Sequence, residues 1–182
     1  MNKKEGRYEY ILNRLKQYDD ISSYSLLDFA CGSGARSLEA SNYVLKIEGR
    51  DCDEMLIQKA RENIKECFVD DLVTTLLPDN YADIFICSET LEHIPIKDYN
   101  KAINNVYRIA SKYICITVPK NKKHSLKNPL HTQYVSREML RDFFIHNKKC
   151  ELIHEGFYYK KPNQTKYGNI VEIYKKIGDK YE

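Results

Sequence analysis

The segment SLLDFACGSG, from Ser25 to Gly34, constrains the fold of this chain more than any other feature of its sequence. An apolar run of strand-forming residues ends abruptly in small residues, and a helical pattern follows. The two glycines allow a tight turn and leave no side chain between the backbone and a ligand. The amides that open the next helix point outward and favour electron-rich groups, at the carboxyl end of a strand, where α/β folds bind ligands. We therefore predict a cofactor-binding turn formed by Asp28, Ala30, Cys31, Gly32 and Gly34.

Strand patterns alternate with helical patterns along most of the chain. Apolar runs predict strands at about 25–30, 44–49, 67–69, 84–87 and 113–118, and helical spacing predicts helices at about 8–18, 34–43, 53–64, 99–109 and from 136 onward. Two closing strands, at about 151–159 and 170–177, have no helix between them and predict an antiparallel hairpin. We therefore predict an α/β fold, a doubly wound, mostly parallel, seven-stranded sheet with helices on both faces and a C-terminal antiparallel hairpin.

Length and composition favour one domain. The 182 residues suffice for one buried core, and neither a repeat nor a Pro/Gly-rich linker divides them. Within this domain we expect an N-terminal helix in residues 1–20, a cofactor-binding core in 21–119, and a substrate-side loop and hairpin in 120–182.

Charge and cysteine usage narrow the class of protein. The net charge of +3 is too small to indicate a nucleic-acid partner by itself. No apolar segment approaches the roughly 20 residues that cross a bilayer, so we expect no membrane partner. The six cysteines are scattered without a Cys-x-x-Cys pair, which predicts reduced, packed thiols in a cytoplasmic protein. No feature of the sequence predicts a particular oligomeric state.

A second acid stands at the end of the next predicted strand. Asp51 lies 19 residues beyond Gly32, and a carboxylate there can accept both hydroxyls of an adenosine ribose. NAD enzymes have the same requirement, so Asp51 indicates adenosine without naming the cofactor; the alternative is a surface acid before a helix N-terminus. The dinucleotide fingerprint needs a third glycine, and Ser37 occupies that position. An NAD-dependent oxidoreductase is therefore disfavoured.

Three segments, taken in order, resemble the motifs of the class I S-adenosylmethionine-dependent methyltransferases. SLLDFACGSG resembles the first motif, in the variant with an aspartate and an alanine ahead of the glycines, GRDCDEML (49–56) resembles the second, and LPDNYADIFICSE (77–89) resembles the approach to the fourth. The resemblance covers residues 25–94 and implies a Rossmann-like methyltransferase fold with S-adenosylmethionine as cofactor. It also implies that Cys52 packs against adenine and that Asp71, in preference to Asp70, accepts the adenine amino group. The further cofactor-binding residues are Asp51, Cys52, Asp71, Leu72 and Ser88.

The string Glu89-Thr90-Leu91-Glu92-His93 is the sharpest local signal. If a helical turn begins at Glu89, the i, i+3 and i+4 spacing places Glu89, Glu92 and His93 on one side. Two carboxylates and an imidazole can hold a divalent ion with open positions for substrate oxygens, and such an ion lowers the pKa of a bound hydroxyl. The string resembles the acidic-histidine site of two methyltransferase groups, the ubiquinone-pathway O-methyltransferases and the small-RNA 3′-terminal 2′-O-methyltransferases. This resemblance makes Mg²⁺ a candidate second cofactor.

Alternatives to a metal stay open for this string. Glu92 and His93 can cap or brace the turn, or His93 can act as a general base. His131 resembles the family's histidine loop over the substrate mouth, as a fourth metal ligand, a base or an ordinary loop residue. A lysine cluster at 120–127 borders the same mouth and is either a solvated loop or a site for an anionic substrate. The candidate catalytic residues are Glu89, His93 and His131, and the candidate metal ligands are Glu89, Glu92, His93 and His131.

Taken together, these motifs predict methyl transfer from S-adenosylmethionine to a small-molecule acceptor, with oxygen as the preferred atom. In-line transfer needs little beyond positioning and a deprotonated nucleophile. One alternative is the same reaction at an RNA 3′ end, which is disfavoured because no basic patch with interleaved aromatic residues stands out. Another is a catalytically silent S-adenosylmethionine-binding protein, against which the intact acids Asp28, Asp51 and Asp71 argue.

Overall fold

One mixed β-sheet organises residues 5–159 and 168–177, the part of the chain that the structure, a computed structural model, describes; the side chain of His124 is also outside this description. The strands of this part are β1 (Ser25–Phe29), β2 (Lys46–Asp51), β3 (Glu66–Val69), β4 (Ala82–Ser88), β5 (Ala110–Pro119), β6 (Glu151–Tyr158) and β7 (Asn169–Lys175). Their spatial order is β3-β2-β1-β4-β5-β7-β6. The first five run parallel, and β7 lies antiparallel between β5 and β6. The predicted sheet and its terminal hairpin are confirmed.

Helices cover both faces of this sheet, as predicted. The helices are α1 (Arg7–Leu15), α2 (Glu54–Ala60), α3 (Tyr99–Ile109), the single turn α4 (Lys122–Ser125) and α5 (Arg137–Arg141), which continues as a π-helical turn, Asp142–Asn147. The apolar stripe of α1 packs with Ile84 and Ile86 of β4 on one face. The stripes of α3 and α5 pack with Phe85 and Cys87 on the other face. Alternate β4 side chains therefore enter two separate cores, because successive residues of a strand point to opposite faces.

The chain between β1 and β2 differs from the prediction of a regular helix at 34–43. It forms a short 3₁₀ helix, Ser37–Ala40, with turns on either side. The Ser37 hydroxyl donates to the buried Asp28 carboxylate, and the Ser41 hydroxyl donates to the Leu38 carbonyl at 2.8 Å. Such side-chain hydrogen bonds compete with the α-helical pattern, which explains the irregular geometry. The backbone conformation of this segment is thus determined by the contact with Asp28 rather than by helical periodicity.

The carboxyl ends of the parallel strands meet at one edge of the sheet. Phe29 at the end of β1 pairs with Arg50 of β2 and with Cys87 of β4, so the segments that follow these strands emerge side by side. This is the edge where open α/β sheets bind ligands. Within the described ranges, none of the helices combines the length and apolar character that crossing a membrane requires.

Candidate active site

The turn after β1 is fixed to β2 and leaves space on its outer side. The Ala30 amide donates to the Arg50 carbonyl at 2.7 Å. Gly32 and Gly34 both adopt positive φ, at 57° and 72°. A Cβ on Gly34 would lie 3.2 Å from the Ala60 carbonyl oxygen, whereas a Cβ on Gly32 would meet no atom within 4 Å. Gly34 therefore allows the turn to pack closely on α2, and Gly32 borders open space that a ligand can occupy.

Ala30 adopts a left-handed conformation, with φ of 66°, in which an L-residue is strained by about 1–2 kcal/mol. We expect Ala30→Gly to raise the free energy of unfolding by about 0.5–1 kcal/mol, since the strain relieved exceeds the entropy that glycine adds to the unfolded chain. Denaturant unfolding measures this difference. Ala35→Gly is the control, because Ala35 lacks a positive φ and its replacement should destabilise the fold. A loss of stability in Ala30→Gly as large as in the control would contradict the strained turn.

Asp51, the last residue of β2, reaches across to the glycine turn. One carboxylate oxygen accepts the Gly32 amide at 2.9 Å, and the other accepts the Asp53 amide at 3.0 Å. Each oxygen keeps a second lone pair, so the carboxylate can still accept two ligand hydroxyls. Asp53 itself is the N-cap of α2, because its side chain accepts the amides of Met55 and Leu56. The two neighbouring acids thus have different roles, one at the site and one in the helix.

The two acids after β3, Asp70 and Asp71, also have different roles. The Asp70 carboxylate accepts from the Arg50 guanidinium at 2.7 Å, from the Thr75 hydroxyl at 2.7 Å and from the Asp71 amide at 2.9 Å. Asp71 is exposed, and its side chain accepts the Val73 amide at 2.7 Å. Because Asp70 is held within this network, Asp71 has the carboxylate that a ligand can reach. The preference for Asp71 as the adenine contact stays a prediction that this geometry supports.

Three other predicted contacts can be placed around this turn. Cys31 is buried, and its Sγ lies 2.9 Å from the position of a Cβ on Gly49, so only its backbone can meet a ligand. Cys52 is exposed next to Asp51. Leu72 is buried, and its carbonyl accepts the Asn105 side-chain amide at 2.7 Å. Their roles in cofactor binding stay predictions.

Asp28 lies beneath the turn rather than at its surface. Its side chain is 0% exposed. The Tyr8 hydroxyl donates to one of its oxygens at 2.7 Å, and the Ser37 hydroxyl donates to the other. Asp28 therefore holds α1 and the 3₁₀ helix against the turn, and the predicted contact with a cofactor would require this buried carboxylate to become accessible.

Stability should depend on the protonation of Asp28. Burial raises the pKa of this carboxyl to about 6, against the lowering effect of the Ser37 and Tyr8 hydrogen bonds. The folded pKa exceeds the unfolded one, so the stabilising effect is complete below about pH 4 and is lost as the pH rises through about 6. Wild type should therefore lose about 3 kcal/mol relative to Asp28→Asn between about pH 4 and 8. Urea unfolding of both proteins across this range tests the expectation, and a pH-independent difference would contradict it.

Residues from three distant parts of the chain meet at the end of β4. The Arg7 guanidinium at the start of α1 donates to the Ser88 hydroxyl at 3.0 Å and to the Asn169 side chain at 2.9 Å. It also lies 3.5 Å from the Glu89 carboxylate, to which Asn169 donates. Burial raises the pKa of Glu89, and the Arg7 charge opposes this shift. The predicted site residues Ser88 and Glu89 are thus joined to α1 and β7.

The structure contradicts the prediction of a helical turn beginning at Glu89. Glu89 has φ of 57°, outside the right-handed helical region, and a tight turn from Thr90 to His93 follows, closed by the His93 amide on the Thr90 carbonyl at 2.9 Å. The left-handed residue turns the Glu89 carboxylate toward Arg7 and Asn169. Glu89 consequently does not share one helical face with Glu92 and His93.

A different trio comes together beside this turn. Glu92, His93 and His131 each offer a ligand atom, and these atoms lie within 4.8 Å of one another. The two imidazole rings are 4.7 Å apart and nearly perpendicular. Nδ1 of His93 is 3.0 Å from the Leu130 carbonyl oxygen, and Nδ1 of His131 is 2.8 Å from the Ser125 hydroxyl. Hydrogen bonds of this kind orient histidine rings at metal and proton-transfer sites.

Glu92 is the most unusual member of this trio. Its side chain is 0% exposed, and neither carboxylate oxygen has a hydrogen-bond partner among the described residues. Burial and the nearby Glu89 carboxylate raise its pKa to about 8. A buried carboxylate without partners is costly unless a cation or a donor compensates it. The geometry therefore suits a bound ion or a ligand hydroxyl at this place.

Sequence reasoning missed the contributions of Arg7, Tyr8 and Asn169. Tyr8 belongs to the apolar stripe of α1, so the sequence identified it as a core residue rather than a partner of Asp28. Arg7 gives a weak signal, because a charge directly precedes an amphipathic stripe. Asn169 gives none, since its contact with Glu89 depends on the pairing of β7 with β5.

The chain is similar to known proteins in family, sequence and structure. A family model described as "Methyltransferase domain" matches residues 26–112. A ubiquinone biosynthesis O-methyltransferase of Rickettsia bellii (strain OSU 85-389) is 28% identical over 138 residues, which are 71% of this chain and 57% of that protein. The homologue of Rickettsia felis is 33% identical over 94 residues, 48% of this chain and 38% of that protein. The matched parts thus span 57% and 38% of the lengths of these two curated relatives.

Several solved structures with the same fold carry the name of a methyltransferase. An S-adenosylmethionine-dependent methyltransferase from Methanosarcina mazei superposes with a TM-score of 0.71 at 16% identity, covering 90% of this chain and 96% of the other. The magnesium protoporphyrin IX methyltransferase of Synechocystis PCC 6803, with bound S-adenosylhomocysteine, gives 0.71 at 17% identity, covering 91% and 80%. At these identities the likeness concerns the fold.

Proposed function

We propose that this chain is a class I S-adenosylmethionine-dependent methyltransferase, which transfers a methyl group from S-adenosylmethionine to an oxygen of a small-molecule acceptor; the family model over residues 26–112 and the shared fold support this proposal. The observation that carries the proposal is the meeting of three features at one sheet edge. These are the open glycine turn after β1, the Asp51 carboxylate after β2, and the trio of Glu92, His93 and His131 after β4 and β5.

The cofactor is expected across the carboxyl ends of β1, β2 and β3. Gly32 leaves the space for it, and Asp51 accepts the ribose hydroxyls with the lone pairs that the backbone amides leave. Cys52 and Asp71 lie exposed on the side where adenine would pack and donate its amino group. The cofactor supplies an electrophilic methyl group, and the protein positions the acceptor in line with it.

The trio fits a divalent ion, because it combines a buried carboxylate without hydrogen-bond partners and two oriented imidazoles. Two nitrogens and one oxygen suit a transition metal such as Mn²⁺, Fe²⁺ or Zn²⁺ better than Mg²⁺, which prefers oxygen ligands. When bound, such an ion lowers the pKa of an acceptor hydroxyl. Glu92, His93 and His131 would hold it, and Glu89 stays with Arg7 and Asn169.

The same histidines can act without an ion. His93 or His131 would then take the proton from the acceptor hydroxyl, and Glu92 would stabilise the charged imidazole that forms. Both forms of the mechanism place the acceptor oxygen beside this trio.

The cytoplasm, expected from the cysteine pattern, remains the proposed location.

The experiment is transfer of labelled methyl groups from S-adenosylmethionine to two acceptor classes, catechol-type small molecules and short RNAs with a free 3′ end. Label in the small molecules supports the proposal. Label in RNA alone would support methyl transfer to an RNA 3′ end instead. The string from Glu89 to His93 also resembles the site of the methyltransferases that carry out that reaction. Binding of the cofactor without transfer to either class would leave a silent binding protein and overturn the enzymatic proposal.

A further inference from the structure

A cavity of about 230 Å³ lies between the end of β5, the start of α5 and the hairpin β6–β7. Its lining residues are Lys120, Tyr134, Arg137, Glu138, Phe157 and Ile170. Aromatic and aliphatic walls with a few charged groups are the usual composition of small-molecule sites. None of these residues belongs to the glycine turn or to the trio of Glu92, His93 and His131.

Two cations converge on one aromatic ring of this cavity. The Lys120 Nζ lies 4.4 Å from the centroid of Phe157, and the Arg137 guanidinium carbon lies 4.5 Å from the same centroid. The Lys120 ammonium also donates to the Tyr159 hydroxyl at 2.8 Å. Cation–π contacts hold both charges in place while leaving them able to accept an anion. The cavity therefore has a fixed positive end with aromatic walls.

The arginine at this end of the cavity shares its two carboxylate partners with a second arginine. Arg141 pairs closely with Glu155 and Glu172, whereas Arg137 lies 3.9 and 3.6 Å from these two carboxylates. Arg137 instead donates to the Gly156 carbonyl at 3.0 Å. Its Nε has no hydrogen-bond partner within the described ranges.

The lysine has still less compensation. Lys120 forms no ion pair with a carboxylate among the residues that the structure describes, and its ammonium donates to the Tyr159 hydroxyl. Glu138, the one acid of the lining, hydrogen-bonds with Ser136 at the start of its own helix. An anion placed between Lys120 and Arg137 would therefore gain charge-assisted contacts.

The cavity stands next to the reaction site. Ser88 pairs with Thr117, so Lys120 lies three residues, about 10 Å, beyond the level of Ser88 along β5. Ile170 in its wall follows Asn169, which bonds to Glu89. Tyr134 follows His131 by three residues, and its hydroxyl donates to the Lys120 carbonyl. These links place the cavity and the trio at the same end of the sheet.

We propose that this cavity binds the anionic end of the methyl acceptor, a flat aromatic molecule whose carboxylate or phosphate lies between Lys120 and Arg137. Tyr134, Phe157 and Ile170 cover its ring, which leaves a hydroxyl on the far side to face Glu92, His93 and His131. This inference rests on the proposed methyltransferase function and specifies the class of its acceptor. An acid and an uncharged molecule of the same shape should then differ in affinity.

Calorimetric titration of the full chain with 3,4-dihydroxybenzoate and with its uncharged amide measures this difference, in the presence of S-adenosylhomocysteine and without it. The acid should bind at least about tenfold more tightly, as expected for one charge-assisted contact. Lys120→Met should reduce this advantage, since only Arg137 then contacts the anion, Lys120→Arg should keep most of it, and Lys127→Met, at an exposed lysine of the same loop, should leave it unchanged. Phenyl phosphate against phenol is the corresponding comparison for a phosphate.

Equal affinities for acid and amide, the absence of binding, or an unchanged advantage in Lys120→Met would overturn the inference. A preference for phenyl phosphate over the carboxylate would assign the cavity to phosphorylated acceptors. Titration with S-adenosylhomocysteine alone distinguishes a failure of the cavity inference from a failure of the proposed function. If it binds while acid and amide do not differ, the cavity inference fails and the proposed function stands. If it does not bind, the proposed function fails, and the acid-to-amide ratio still decides the cavity.

Discussion

Asp51→Ala should bind S-adenosylhomocysteine about 100-fold more weakly than wild type, the loss expected for two hydrogen bonds to a charged group. The carboxylate accepts the Gly32 amide and retains a lone pair on each oxygen for the ribose. Its removal takes away both the ribose acceptor and one tie that holds the glycine turn. Equilibrium dialysis with labelled cofactor measures the affinity of each variant.

Asp53→Ala is the matched control for this prediction. Asp53 is also an acid near the end of β2, but its carboxylate caps α2 through Met55 and Leu56. Loss of the cap should lower the free energy of unfolding by about 1 kcal/mol and change the affinity by no more than about threefold. Similar affinities in the two variants, with both folded, would contradict the role of Asp51.

Glu92→Gln should weaken the binding of Mn²⁺ or Zn²⁺ by at least about 100-fold, because removing a direct ligand exceeds the 10- to 100-fold effect of outer partners. The amide leaves one neutral oxygen where the carboxylate supplied charge. The fold should survive, since the Glu92 carboxylate makes no hydrogen bond within the described residues. Calorimetric metal titration gives the affinity, and thermal unfolding of the metal-free protein checks the fold.

Glu89→Gln provides the contrast. Its carboxylate contacts Arg7 and Asn169 and is not part of the trio, so the ion should bind nearly as in wild type. Equal losses in the two variants would place Glu89 among the ligands, as the sequence spacing predicts. If wild type binds neither ion, the metal is excluded from the proposal and the histidines stay as proton acceptors.

The sheet was predictable because its determinants are local. Each apolar run is long enough to identify a strand, and the missing helix between β6 and β7 identifies the hairpin. The position of Asp51 next to the glycine turn was predictable for the same reason, because it lies at the end of β2, the strand beside β1. The predicted helix starts at 53 and 136 are also confirmed, and in the structure the Asp53 and Ser136 side chains accept amides of the following turn.

The errors arise where side chains from distant segments decide the backbone. Ser37 bonds to buried Asp28, and this tertiary contact replaces the regular helix that the pattern at 34–43 indicates. The left-handed conformation of Glu89 accompanies contacts with Arg7 and Asn169, which lie 82 and 80 residues away in the chain. No local rule contains such contacts, so the predicted face shared by Glu89 and Glu92 was wrong.

The central claim is that the carboxyl edge of β1 and β2 binds S-adenosylmethionine. Calorimetric titration of the wild-type chain with S-adenosylhomocysteine, with NAD as a parallel ligand, tests it most directly. We predict that the protein binds S-adenosylhomocysteine with micromolar affinity and does not measurably bind NAD. Binding of NAD with no response to S-adenosylhomocysteine would contradict the assignment of the glycine turn and the function built on it.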